Sequence, residues 1–115
     1  GAYLAFLGDS AALFTPDGWD RYRRRIELSG DFERQDMQVL LSLVSPATPD
    51  SQHRVTVSSQ LREILGLQRE VTIVGSGGFA AIYDRSVWAA RQSETLSRNE
   101  QGQTLADKFN RLTFL

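Results

Sequence analysis

The sequence predicts an α+β fold: short antiparallel hairpins in two pseudo-repeated units, with helices packed outside them. The first observation behind this is an internal repeat. Phe14 and Tyr83, Leu13 and Ile82, Ala12 and Ala81, Thr15 and Asp84, and Trp19 and Trp88 are each separated by 69 positions. Five matches in one register mark a strand–turn–strand–cap–helix unit that occurs twice. The second observation is turn chemistry between apolar runs at both places: Gly8-Asp9-Ser10 in the first and Gly75-Ser76-Gly77-Gly78 in the second.

The elements follow in order. Tyr3 to Leu7 and Ala11 to Phe14 read as the strands of a hairpin. Thr15-Pro16 opens a helix, with Thr15 as cap and Pro16 at the favoured first position. Trp19, Tyr22 and Ile26 share one face of it. Asp31 to Val44 reads as a second helix with Met37, Leu40, Leu41 and Val44 on one face. Pro46 and Pro49 then bracket a short extended stretch. Arg54 to Val57 alternates as a strand does. Ser58 or Ser59 can cap a short helix with Leu61, Ile64 and Leu65 on its apolar face, ended by Gly66. Glu70 to Val74 and Phe79 to Tyr83 form the second hairpin. Asp84 is an N-cap for a helix carrying Val87, Trp88 and Arg91. A polar stretch from Ser97 to Gly102 precedes a last helix, Gln103 to Leu112, striped by Leu105, Phe109 and Leu112. Phe114 and Leu115 form an apolar end that suits docking.

These elements divide the chain into an incomplete first unit with a linking helix (1–46), a complete second unit (47–92) and a C-terminal linker with an amphipathic helix (93–115). The second copy has a segment, Asp50 to Leu67, whose counterpart in the first copy falls before Gly1. The chain therefore reads as beginning within its first repeat. Gly1 in place of Met marks it as a piece of something longer or as a cloning remnant.

Composition excludes several classes. At 115 residues the chain can bury roughly two-thirds of its unfolded surface, enough for a core without staples. It has no cysteine, which removes disulfides, thiol chemistry and Cys-based zinc sites, and one histidine, which removes a multi-His metal cage. No apolar run reaches the ~20 residues of a membrane helix. The formal net charge of −1 requires any nucleic-acid footprint to be local. No nucleophile elbow surrounds any serine, and the carboxylates show no acid–base spacing, so no enzyme activity and no cofactor are expected.

The candidate binding residues each carry two readings. Arg54 has a guanidinium able to clamp phosphate or read guanine O6 and N7 as a fork. Equally, Asp50 can hold it across a tight loop. Asp50 itself suits organising the turn. His53 can donate to phosphate when protonated, or be a plain loop histidine. Arg21, Arg23, Arg24 and Arg25 form the densest basic run, either a phosphate grip or a solvated helix face with Glu27 for pairing. Arg62 stands beside Glu63 as ordinary charge mixing. Gly75 to Gly78 lacks what a phosphate loop needs next, since Phe79 opens a strand. Trp19 and Trp88 could stack on bases, but their equivalent helical positions favour core packing.

Asp50-x-x-x-Arg54-Val55-x-Val57, then Leu61-Arg62-Glu63-x-Leu65-Gly66-Leu67, Val71 to Val74, the glycine turn, Ala81-Ile82-Tyr83-Asp84 and Trp88 together resemble the MraZ family. The resemblance covers nearly all of residues 3 to 91. It implies tandem AbrB-like swapped-hairpin units and a cytoplasmic, nucleoid-associated transcriptional regulator encoded with division and cell-wall genes. It also implies ring-shaped homo-oligomers on G-rich direct repeats of promoter DNA. With it, the expected DNA contacts are Arg54, His53, Arg62, Arg23 and Arg24, with Asp50 structural in the motif. The sequence departs from the family where His53 replaces Gly, where Ser58 replaces Pro, and in lacking a first Asp-x-x-x-Arg motif. The alternative is a degenerate oligomerisation or protein-interaction module that has lost DNA binding.

Overall fold

A computed structural model describes residues 1–52, 54–97 and 104–111. The chain forms two compact units, Gly1–Asp84 and Arg85–Leu115. The first holds β1 (Ala2–Phe6), β2 (Ala11–Phe14), α1 (Pro16–Ser29), α2 (Arg34–Ser42), β3 (Ser45–Ala47), α3 (Ser59–Leu65), β4 (Val71–Gly75) and β5 (Ala80–Asp84). The second holds α4 (Arg85–Leu96) and α5 (Leu105–Arg111).

The five strands make one antiparallel sheet in the order β3-β1-β2-β5-β4. The two hairpins therefore lie side by side, joined through Ala12 opposite Ala81. Small residues at this seam leave its faces to larger neighbours. Strand alternation sends Leu4, Ala11 and Ile82 into a cluster on one face, closed by Leu43, Ala47 and Leu61. It sends Ala5, Ala12 and Phe14 into a second cluster on the other face, closed by Trp19 of α1. Aromatic packing dominates there, with the Phe14 ring 4.9 Å from Tyr22 and 5.2 Å from Phe79 between centroids.

The repeat is more regular in the backbone than in the letters. β1 and β4 share the 69-residue offset at both ends, and so do the first residues of α1 and α4. The hairpin turns match bond for bond. Leu7 N donates to Ser10 O at 2.9 Å, and Ser76 N donates to Phe79 O at 2.9 Å. Each turn has a left-handed glycine, Gly8 at φ 92° and Gly77 at φ 82°. The last seven residues of α2 and the whole of α5 keep the same offset, although their side chains differ.

Most expected elements form within a few residues of their predicted bounds. Thr15 caps α1, accepting from Gly18 N at 3.0 Å, and Ser58 caps α3, accepting from Leu61 N at 3.2 Å. α2 is shorter than the expected 31–44. Asp36 Oδ2 accepts from Glu33 N at 2.8 Å and starts the helix there. Leu40 is its buried residue, Leu43 at its C-cap is buried as well, and Leu41 is exposed. Arg54 to Val57 is not a strand. The outer edge of β1 is already taken by β3, so the segment contributes its valines to the core and not its backbone to the sheet. Trp88 does not share the burial of Trp19: it is half-buried, and α4 has no buried side chain. Its own unit has no sheet face of the kind that Trp19 packs on. The expected apolar end, Leu112, Phe114 and Leu115, lies outside the described residues, as does His53.

Candidate nucleic-acid interface

The Asp-x-x-x-Arg motif folds into a closed loop. Asp50 N donates to Arg54 O at 2.9 Å. The Asp50 carboxylate closes the other side: Oδ1 accepts from Gln52 N at 2.8 Å and from Arg54 N at 2.9 Å. Its Oδ2 accepts from Arg54 Nε at 2.9 Å. This is an Asx-type turn extended by a side-chain ion pair. The Arg54 backbone N–H, the largest effect, holds the Asp50 carboxyl below its ordinary range; desolvation, next in size, opposes it, and the Gln52 N–H and the Arg54 side chain add to the lowering.

The consequence for Arg54 is specific. Its Nε is spent on Asp50, yet its side chain remains 72% exposed. Its two terminal nitrogens make no hydrogen bond or ion pair among the described residues. The two readings of Arg54 are thus compatible within one geometry. The same carboxylate that braces the loop orients the guanidinium and reduces the freedom it would lose on binding.

The other basic residues are distributed differently from one another. Arg62 is half-buried, and its Nη2 donates to Gln68 O at 3.1 Å, while Gln68 N donates to Asp84 Oδ1 at 2.8 Å. Arg62 therefore braces the exit of α3 against the end of β5. Arg23 pairs with Asp20 at 3.7 Å and Glu27 at 3.9 Å, both on α1. Arg24 is exposed and has no ion pair among the described residues.

The structure does not gather these residues onto one surface. Val55, directly after Arg54, packs on the cluster that contains Leu4, whereas Tyr22 of α1 packs on the cluster that contains Ala5. Those clusters occupy opposite faces of the sheet, so the Asp50–Arg54 loop and the arginine helix flank opposite faces. Sequence reasoning also passed over a difference within the basic run. Arg21 and Arg25, one helical turn apart, line a cleft with Phe14, Tyr22, Ser76 and Phe79. The signal was available in their i, i+4 spacing, but not the partner wall, which comes from a turn more than 50 residues away. None of the helices described is long and apolar enough to cross a membrane.

Comparison with known proteins gives a consistent result. Residues 45–111 match the family described as "MraZ protein, putative antitoxin-like". The chain is 38% identical over 77 residues to the transcriptional regulator MraZ of Clavibacter michiganensis subsp. michiganensis, covering 67% of this chain and 51% of that protein. It is 38% identical over 65 residues to the one from Kocuria rhizophila, covering 56% and 46%. It is 36% identical over 87 residues to the one from Paenarthrobacter aurescens, covering 76% and 58%. The matched region thus spans about half the length of these relatives.

Proposed function

The chain belongs to the MraZ family, and from that premise we propose that it is a DNA-binding transcriptional regulator that reads duplex DNA through the Asp50–Arg54 loop. One observation carries this reading: the carboxylate of Asp50 holds Arg54 by Nε, while the side chain as a whole stays 72% exposed. A guanidinium fixed in this way can donate in parallel to O6 and N7 of guanine, or to two oxygens of a phosphate. One such contact is weak. Affinity on G-rich direct repeats then comes from a homo-oligomer that places several Arg54 side chains on successive sites, so that each later contact is effectively intramolecular. His53, next to Arg54 in sequence, is a further phosphate donor when protonated, and Arg24 adds longer-range attraction that salt screens.

The test is a fluorescence-anisotropy titration of duplex carrying G-rich direct repeats, against a scrambled duplex, at two salt concentrations. The expected result is tighter binding to the repeats that weakens with salt. Arg54→Ala should cost about 10- to 100-fold per site, the worth of one good bidentate base contact. Arg54→Lys keeps the charge and lacks the fork, so it should lose preference for the repeats more than it loses scrambled-duplex binding. Equal binding of both duplexes by the wild type would remove base readout. No binding to either by folded protein would leave the interaction-module reading.

A further inference from the structure

The cleft between α1 and the β4–β5 turn is built unlike the rest of the basic surface. It has a volume of ≈ 270 Å³ and is walled by Arg21 and Arg25 on one side and by Ser76 and Gly78 on the other. Phe14, Tyr22 and Phe79 form its aromatic floor. Gly18 also lines the cleft, close to both the cap of α1 and the β4–β5 turn. A Cβ there would sit 3.1 Å from the capping Thr15 Oγ1 and 3.6 Å from the Gly78 carbonyl oxygen. The floor is rigid, with Phe14 fully packed and its ring in contact with both Tyr22 and Phe79.

The arginines contrast with their neighbour. Arg23 pairs with two of the three carboxylates of α1, Asp20 and Glu27, the third being Asp17 in the first turn. Among the described residues Arg21 and Arg25 have no ion pair. The Arg25 charge is felt at Tyr22: burial pushes the Tyr22 hydroxyl up from its ordinary value, and Arg25 pulls it partly back. Two guanidiniums one turn apart suit an anion with several oxygens, and a phosphate more than a single carboxylate. The aromatic floor adds a stacking surface for a planar ring. A DNA duplex would leave that floor unused, because its bases are stacked on one another.

From this arrangement we propose that the cleft binds a small phosphate-bearing ligand with a planar ring, of the nucleoside monophosphate class, with Arg21 and Arg25 on the phosphate and Phe79 under the ring. The volume lies just below the usual range of ligand pockets, about 300–1,000 Å³, so the cleft could hold at most one nucleotide and not a dinucleotide. The site is independent of the Asp50–Arg54 reading, since the two flank opposite faces of the sheet.

Isothermal titration calorimetry of the full chain tests it with adenosine 5′-monophosphate, adenosine and inorganic phosphate as separate probes. The expected result is saturable one-to-one binding of the monophosphate, at least tenfold tighter than either part alone. The double variant Arg21→Ala/Arg25→Ala should lower that affinity at least tenfold, and Arg34→Ala, outside the cleft, should leave it within twofold. All three side chains are exposed, so the variants should keep the wild-type far-UV circular dichroism. Absence of binding at millimolar monophosphate would overturn the proposal. Inorganic phosphate binding as tightly as the nucleotide would also overturn it, by removing the ring from the recognition. Affinity that climbs with the length of single-stranded oligonucleotides would reassign the cleft to a nucleic-acid strand. DNA-binding loss in the double variant without nucleotide binding would reassign it to the duplex backbone.

Discussion

The two hairpins have the same backbone and very different burial. β1 and β4 occupy equivalent positions in the repeat, and their central residues are Leu4 and Ile73. Leu4 is 0% exposed and Ile73 is 65% exposed. Both face the same side of the sheet, since Ile73 pairs across from Ile82, which shares a cluster with Leu4. What differs is the cover. β1 has β3 along its outer edge and Leu43, Ala47 and Leu61 over its face. β4 is the last strand of the sheet among the described residues, and Val71 and Ile73 stand open on it. The comparison shows that local sequence sets the hairpin, while burial depends on what the rest of the chain lays over it.

The sharpest way to break this comparison is truncation at the two centres. Leu4→Ala should cost about 3–5 kcal/mol, the range for a fully buried leucine. Ile73→Ala should cost below ~1 kcal/mol, because little of that side chain leaves water on folding. Urea unfolding of the two variants measures both. Equal losses would show that the face of β4 is covered in solution.

The turns should behave in the opposite way and alike. Gly8 and Gly77 both have positive φ and open space where a Cβ would go. Gly8→Ala and Gly77→Ala should therefore each cost roughly 1–2 kcal/mol of backbone strain, by the same amount within error. Unequal costs would show that the turns match only in outline. A smaller effect belongs to the cap of the first repeat: Thr15→Ala should cost about 1 kcal/mol in thermal or urea unfolding, through loss of the bond from Gly18 N.

The smallest expected effect is local and pH-dependent. Asp50 has a pKa lowered by folding. A carboxyl of this kind lends stability above its unfolded value of ~3.9, and that stability is lost as pH falls through the lower folded value. The loop bonds should therefore persist as pH falls through the ordinary carboxylate range and open only below it. The Gln52 and Arg54 amide shifts in an NMR titration would follow this. A midpoint at or above the ordinary value would show that the loop is not closed in solution.

Much of this was legible in the residues. The 69-residue offset, the turn glycines, and the Thr15 and Ser58 caps are local signals, and the structure uses each of them. The Asp50–Arg54 spacing offered a loop brace as one of two readings of Arg54, and the structure forms that brace. Other features were not legible because they depend on partners distant in sequence. Arg54 to Val57 has a strand's alternation, but whether it pairs depends on a free edge, and β3 had already taken the one beside β1. Trp19 and Trp88 are equivalent in the repeat, yet only Trp19 has a sheet face to pack on within its own unit. Arg21, Arg23, Arg24 and Arg25 look alike as letters. Their roles separate once Asp20 and Glu27 choose Arg23 and the Ser76–Gly78 turn meets α1.

The sequence by itself determined the repeated hairpins, the family and the closed Asp-x-x-x-Arg loop, because short-range hydrogen bonds and turn conformations are decided within a few residues. The tertiary structure alone decided which copy of the repeat is covered, that the basic loop and the arginine helix flank opposite faces, and that two arginines meet an aromatic floor. Those outcomes depend on which distant segments compete for the same edge or face, and a run of letters does not contain the result of that competition.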